Sequence, residues 1–244
     1  MRFAIDPAGR RVCADWDDHS EVKSVNDAAG LLLGPVLGGL LRLRGTISLH
    51  ACVIDIGSRA VVLMGERGAG KSTLAVAAAQ RGHAVLSDDI AAIAESPGGD
   101  WSAQPGYPRL RLGPRTIDAL AGSSPEAGPV WTGMDKRYLE LSTGNGTAAG
   151  RFQPEPLRVG ALYELRRDPE LAAPLIEPIA GADRVATLLR HTRQALAPLD
   201  PGSRDAEFSR LGRLAASVPM SRLTCPDDLA SLSAVCRAIA EDAT

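Results

Sequence analysis

The sequence predicts an α/β fold, and three observations carry that prediction. Apolar, β-branched runs of strand length recur along the chain, a glycine-rich loop joins one of them to a helical segment, and another short apolar run follows that helix. Strands and helices therefore alternate around one central unit. The 244 residues are enough for one or two domains with a substantial core. With 45% hydrophobic and 23% charged residues the composition is globular, which excludes disordered, collagenous and disulfide-scaffold classes. A net charge of −2 and only 4% aromatics argue against a nucleic-acid surface, so no nucleic-acid partner is expected.

Met1–Asp6 and Arg10–Trp16 flank a Pro-Ala-Gly turn and are expected to pair as an opening hairpin. The acidic stretch DWDDHSE is expected to be solvated. Residues 28–43 read as a glycine-rich helical segment packed on the core, interrupted by Pro35 and four glycines. That falls short of the ~18 apolar residues of a membrane span. The N-terminus lacks the apolar run of a signal peptide. No membrane partner is expected, and the chain reads as cytoplasmic. Cys13, Cys52, Cys225 and Cys236 lie far apart, without Cys-x-x-Cys spacing or histidine pairs. They are expected to be small buried hydrophobes rather than zinc ligands.

ISLHACVIDI and AVVLM, separated by Gly57-Ser58, predict an antiparallel hairpin. A helix over about 72–81 follows, closed by Gly82, and then the strand AVLS. Residues 96–156 read as irregular, with one strand at 136–141. Strands follow at 159–165 and in PLIEPI. A helix is expected around 185–196, with Val185, Leu188, Leu189 and Leu196 on one stripe. A second helix is expected over about 205–218, using Phe208, Leu211, Leu214 and Val218. The last is expected over 226–240, with Pro226 in its first turn and Asp227 and Asp228 complementing the dipole. Residues 1–45 are expected to pack on a catalytic unit of 46–244, as one compact body.

The candidate site starts at Gly65-Glu66-Arg67-Gly68-Ala69-Gly70-Lys71-Ser72, which matches G-x-x-x-x-G-K-[ST] at every position. Only three residues of the chain are lysines, so Lys71 needs a local reason. Glycines let the backbone turn its N–H groups inward on phosphate oxygens, and a helix N-terminus beginning at Ser72 and Thr73 adds positive potential. Lys71 is suited to the β- and γ-phosphates and the Ser72 hydroxyl to Mg²⁺. The pattern therefore implies ATP or another nucleoside triphosphate with Mg²⁺. Asp88 and Asp89 end the next strand, where one carboxylate can face the metal and the other can accept a hydroxyl proton. His50, on the strand before AVVLM, is level with the loop and suited to orienting an aspartate.

Taken together, Leu49 to Ile93 (LHACVIDIGSRAVVLMGERGAGKSTLAVAAAQRGHAVLSDDIAAI) resembles the catalytic core of the HPr kinase/phosphorylase family. The shared features are the histidine before the loop, the valine-rich hairpin, the loop itself, Arg81-Gly82-His83 and the Asp-Asp pair. The resemblance implies a P-loop core with a mixed sheet, related to phosphoenolpyruvate carboxykinase. It also implies a transferase of the ATP γ-phosphoryl group to serine. Lys71 and the loop would bind the triphosphate and Ser72 with Asp88 the metal; Asp89 would be the base and His50 its support.

The sequence departs from the family in three places. Thr73 stands where the family has Glu. PGYPRLRLGP, with Arg109 and Arg111 and no acid, replaces a glycine-rich signature that carries a metal-binding glutamate. The 49 residues before His50 leave no room for an N-terminal domain of the family's size. These departures predict no reverse phosphorolysis and a substrate other than HPr. The layout, YPRLRL and LLRHTRQAL are similar to the stand-alone HPr-kinase-like proteins of lasso-peptide gene clusters. That likeness implies the C-terminal Ser of a precursor peptide as acceptor, with Arg109 and Arg111 as candidate substrate contacts. A small-metabolite kinase and a non-catalytic nucleotide-binding regulatory module stay open, as does homo-oligomerisation. A motor or hydrolase is disfavoured because no other apolar strand is expected to end in Asp.

Overall fold

In a computed structural model, which describes residues 1–16, 25–121, 128–143, 150–192 and 200–243, the opening hairpin forms as β1 (Arg2–Ile5) antiparallel to β2 (Val12–Asp15). Most of the DWDDHSE stretch lies outside the described residues. The glycine-rich segment is helical but broken. α1 (Val25–Leu31) runs into a π-type turn, Leu32–Val36, and then α2 (Leu37–Leu43). Pro35 and the non-helical Gly34 place the kink.

The expected ISLHACVIDI strand is split at His50 into β3 (Ile47–Leu49) and β4 (Ala51–Ile56). β4 forms the expected hairpin with β5 (Arg59–Met64). Its turn residues Gly57 and Ser58 both have positive φ, 60° and 63°, as a tight turn matched to strand twist requires. α3 (Lys71–Ala79) ends just before Gly82, whose N–H donates to the Ala79 carbonyl at 3.0 Å. β6 (Val85–Ser87) follows.

The tract 96–156 holds three strands where one is expected, and a further unexpected strand precedes it. β7 (Ala91–Glu95) and β8 (Trp101–Gln104) form an antiparallel pair. β9 (Arg109–Leu112), the one-turn α4 (Pro114–Thr116) and β10 (Arg137–Glu140) follow, with β9 antiparallel to β10. Alternating small residues in AAIAE and WSAQ mask the strand period, and cross-strand pairing supplies what propensity lacks.

β11 (Leu157–Asp168) is longer than expected and ends in Asp168, contrary to the expectation that no further strand does so. Asp168 accepts the Glu170 N–H and so shapes the following turn. β12 (Leu175–Pro178), α5 (Ala182–His191) and α6 (Pro201–Ser217) come next. α5 ends at His191, and the expected continuation to 196 lies outside the described residues beyond 192. Leu188 is fully buried, but Leu189 (39% exposed) and Phe208 (56% exposed) face outward, correcting their expected core roles. β13 (Met220–Pro226) was not expected. It takes Pro226 as its last residue, so the final helix begins later, as α7 (Leu232–Asp242), after a 3₁₀ turn capped by Asp228.

The main sheet runs β3-β7-β8-β11-β5-β4-β6, with β13 also on β11 and β12 on β13. β11 is parallel to both β5 and β13 and the other pairs are antiparallel, so the sheet is mixed. Period-2 alternation sorts its side chains into two cores. Val61 and Leu63 of β5 join Leu74 of α3 and Val235 of α7, while Ala60, Val62 and Met64 join Leu188 of α5 and Leu214 of α6. The sheet is thus covered on both faces, which explains why β4 and β5 read as continuous apolar runs. Cys52, Cys225 and Cys236 are buried, but Cys13 is exposed on β2 because that strand has only β1 beside it. No helix among the described residues is long and apolar enough to cross a membrane.

Candidate active site

The loop from Gly65 to Gly70 leaves the C-terminal end of β5 and turns into α3. Gly70 caps that helix at φ 98°, a left-handed conformation that favours glycine. Lys71 is buried and its Nζ donates to the Gly65 carbonyl at 2.6 Å and the Glu66 carbonyl at 3.1 Å. Burial lowers its pKa, against the opposing charge of Asp88. Glu66, Arg67 and Gly68 are exposed at the crest, and Ala69 is half-buried. Thr73 is buried and hydrogen-bonded to the Thr116 hydroxyl at 3.0 Å.

β6 is separated from β5 by β4 and antiparallel to it, so β5 and β6 run in the same direction and end together. This brings Asp88 beside the start of α3. The Ser72 hydroxyl donates to Asp88 Oδ1 at 2.9 Å, and the Arg111 backbone N–H donates to Oδ2 at 2.7 Å. Burial pushes the Asp88 carboxyl up, opposed by those two donors. One hydroxyl and one carboxylate are a suitable protein share for Mg²⁺, a hard cation that takes most of its oxygens from phosphates and water. No larger group of metal-ligating side chains occurs among the described residues.

Asp89 has φ 73°, a left-handed backbone uncommon for a non-glycine residue. Its Oδ2 pairs with Arg111 Nη1 at 2.7 Å and its Oδ1 lies 3.3 Å from His50 Nδ1. The His50 ring nitrogen is also 3.0 Å from the Asp89 carbonyl. The structure therefore brings together His50, Lys71, Ser72, Asp88 and Asp89.

Arg109 and Arg111 stand on one face of β9 against the same Tyr138 ring, but they take different ion-pair partners. Arg111, inside the strand, is buried on Asp89 between Tyr107 and Tyr138, whereas Arg109, at its exposed first residue, makes an ion pair with Glu140 at 2.8 Å. Arg111 Nη1 is thus engaged by the aspartate, and its Nη2 lies 3.5 Å from the Gly30 carbonyl.

Sequence reasoning missed a second polar centre. Glu164 on β11 stands in register with Met64, one residue before the loop, and is only 4% exposed. It accepts from Arg190 at 2.9 Å, Arg222 at 3.2 Å and Arg166 at 3.3 Å, with His191 Nε2 at 3.5 Å. Burial raises its pKa, but the three guanidinium groups overcome this and hold it below the usual carboxylate range. Burial also keeps His191 toward its neutral form, and its carbonyl accepts the His50 N–H at 2.6 Å. The available signal was a single acid inside the apolar run VGALYEL.

No family model matches the chain. Over 61 residues it is 38% identical to HPr kinase/phosphorylase of Brevibacillus brevis, a match covering 25% of this chain and 20% of that relative. The chain thus spans about a fifth of the curated relative's length. A solved structure titled as the Hpr(Ser) kinase/phosphatase from Coxiella burnetii aligns over 77% of this chain and 91% of its own, at 11% identity and a TM-score of 0.39. In its sequence neighbour, as in residues 49–93, the chain resembles HPr kinase/phosphorylase.

Proposed function

We propose that this chain is an ATP- and Mg²⁺-dependent kinase that phosphorylates the serine hydroxyl of a peptide or protein, most specifically the C-terminal Ser of a lasso precursor peptide. The single observation that carries the reading is the pair of adjacent carboxylates beside the phosphate loop, held in two different environments. Asp88 is tied to Ser72, and Asp89 is turned by its left-handed backbone toward His50 and Arg111. A nucleotide-binding module needs no second carboxylate; a phosphoryl transferase does.

In the proposed reaction the serine oxygen attacks the γ-phosphorus and the bond to the β–γ bridging oxygen breaks. The hydroxyl proton passes to the Asp89 carboxylate, leaving phosphoserine and ADP. His50 and Arg111 keep that carboxylate in one orientation, and Lys71 leaves the Gly65 and Glu66 carbonyls for the phosphates. Mg²⁺, when bound, supplies charge neutralisation of the β- and γ-phosphates; Ser72 and Asp88 would hold it. The absence of an acid from PGYPRLRLGP supports transfer without reverse phosphorolysis.

The test is mass spectrometry of serine-ended peptides incubated with ATP, against the same peptides with the last Ser replaced by Ala. Phosphate on the serine forms alone is expected, and none with Lys71→Ala. Equal incorporation into both peptide sets, or turnover unaffected by Lys71→Ala, overturns the reading.

A further inference from the structure

The kinked helical segment 31–43 does not close on the sheet beneath it. Leu33, Leu37 and Leu41 form one stripe at helical spacing, yet none belongs to either hydrophobic core. They face Ala92 and Ala94 of β7 across a cavity of about 410 Å³. Along β7 the alternate residues Ala91 and Ile93 are buried in the sheet core, so Ala92 and Ala94 are the side chains left for the cavity wall. Three leucines opposed by two alanines leave apolar space that a structural core would fill, because interiors pack to near-crystalline density. The volume falls in the range of ligand pockets.

One observation connects this space to the chemistry. Asp88 lies in its wall, so the cavity opens onto the same carboxylate that holds Ser72. Asp88 is the sole charged residue among those lining the cavity. A carboxylate or phosphate group would find no counter-charge there, since no arginine or lysine is among the residues lining it.

We propose that the cavity receives a large apolar side chain of the acceptor, one or two residues from the phosphorylated serine. This rests on the reading of the chain as a serine kinase and names the sequence class that it selects. The terminal carboxylate of a peptide acceptor then lies outside the cavity.

The experiment uses the full chain, ATP and a library of serine-ended peptides randomised before the serine. Leu, Ile, Met and Phe are expected to be enriched over Asp, Lys and Gly by about tenfold or more, the ratio that burying one such side chain carries. Ala92→Leu, whose added atoms extend into free space, is expected to keep its thermal midpoint and its ATP KM. It should shift the preference to Ala and Gly. Labelling without an apolar preference, or an unaltered preference in Ala92→Leu, overturns this inference and leaves the kinase reading standing. Labelling of free aliphatic alcohols but of no library peptide overturns the serine reading and the inference with it, as does no labelling of any acceptor.

Discussion

Replacing Arg111 by Met tests how Asp89 is held. The Arg111–Asp89 contact is 2.7 Å and both side chains are nearly buried, at 9% and 12% exposure. At an effective dielectric constant of ~20, two unit charges at that distance attract by about 6 kcal/mol. Desolvation of the guanidinium offsets part of this, and removing one partner of a buried pair costs about 3–5 kcal/mol because the other charge is stranded. Methionine keeps much of the apolar packing against Tyr107 and Tyr138, so the loss reports charge rather than volume. With a urea dependence of about 3 kcal/mol/M, the denaturation midpoint should fall by about 1–1.7 M. The double variant Arg111→Met/Asp89→Asn removes both charges and should be about 3 kcal/mol more stable than the two single costs predict when added. Turnover should drop while nucleotide affinity holds, since the bond to Asp88 comes from the Arg111 backbone, which methionine retains. Additivity of the single variants within ~0.5 kcal/mol would refute the coupling, and a single-variant cost below ~1 kcal/mol would refute the burial argument.

Gly150 tolerates no side chain: a Cβ there would sit 2.4 Å from the Ala79 Cβ, so Gly150→Ala should cost about 1–3 kcal/mol. Calorimetry should show this as a Tm lowered by about 2–4 °C per kcal/mol. Leu188→Ala empties a fully buried position of α5 and should cost about 2–5 kcal/mol, whereas Leu189→Ala, one residue on and partly exposed, should cost under about 1 kcal/mol; urea titration of both variants checks the contrast. Because burial raises the Asp88 pKa, the folded state holds that proton more tightly than the unfolded chain. Without Mg²⁺, stability should therefore decline as pH rises from the ordinary carboxylate range through the raised value, and Asp88→Asn should flatten that decline. Unfolding free energies measured across that window would contradict the assignment if the wild-type protein gained stability there relative to the variant.

Local chemistry was enough to identify much of this protein. The loop Gly65–Ser72, the Gly57-Ser58 hairpin, the helix that follows the loop and the position of Asp88 and Asp89 are properties of short segments, set by backbone conformation and by side chains a few residues apart. Their signals survive in one dimension, and so does the resemblance of residues 49–93 to HPr kinase/phosphorylase. What depended on distant pairing was not legible. β7 and β8 carry too many small residues to show a period, and β13 ends in a proline read as a helix start; each becomes a strand only when a partner satisfies its backbone. Leu189 and Phe208 look identical to core leucines and phenylalanines until the neighbouring helix is in place.

Within the site the same division holds. Sequence could propose Arg111 as a cation near the chemistry, but only tertiary contact turned its fork onto Asp89 while its neighbour but one, Arg109, turned to Glu140. The choice follows from position along β9, whose exposed first residue Arg109 lies opposite Glu140 of β10 while Arg111, two residues on, is buried beside Asp89, a matter of three dimensions. Glu164 became a centre because three arginines from β11, α5 and β13 converge on it, and no spacing along the chain encodes such a convergence. The cavity beneath Leu33, Leu37 and Leu41 arises in the same way, from a helix kinked at Gly34-Pro35 laid over two alanines of a strand more than fifty residues away. Motifs determine which chemistry is available, because reactive groups are short-range. The packing of distant elements decides which group faces which, because the low-dielectric interior rewards only the pairings that all surrounding elements permit.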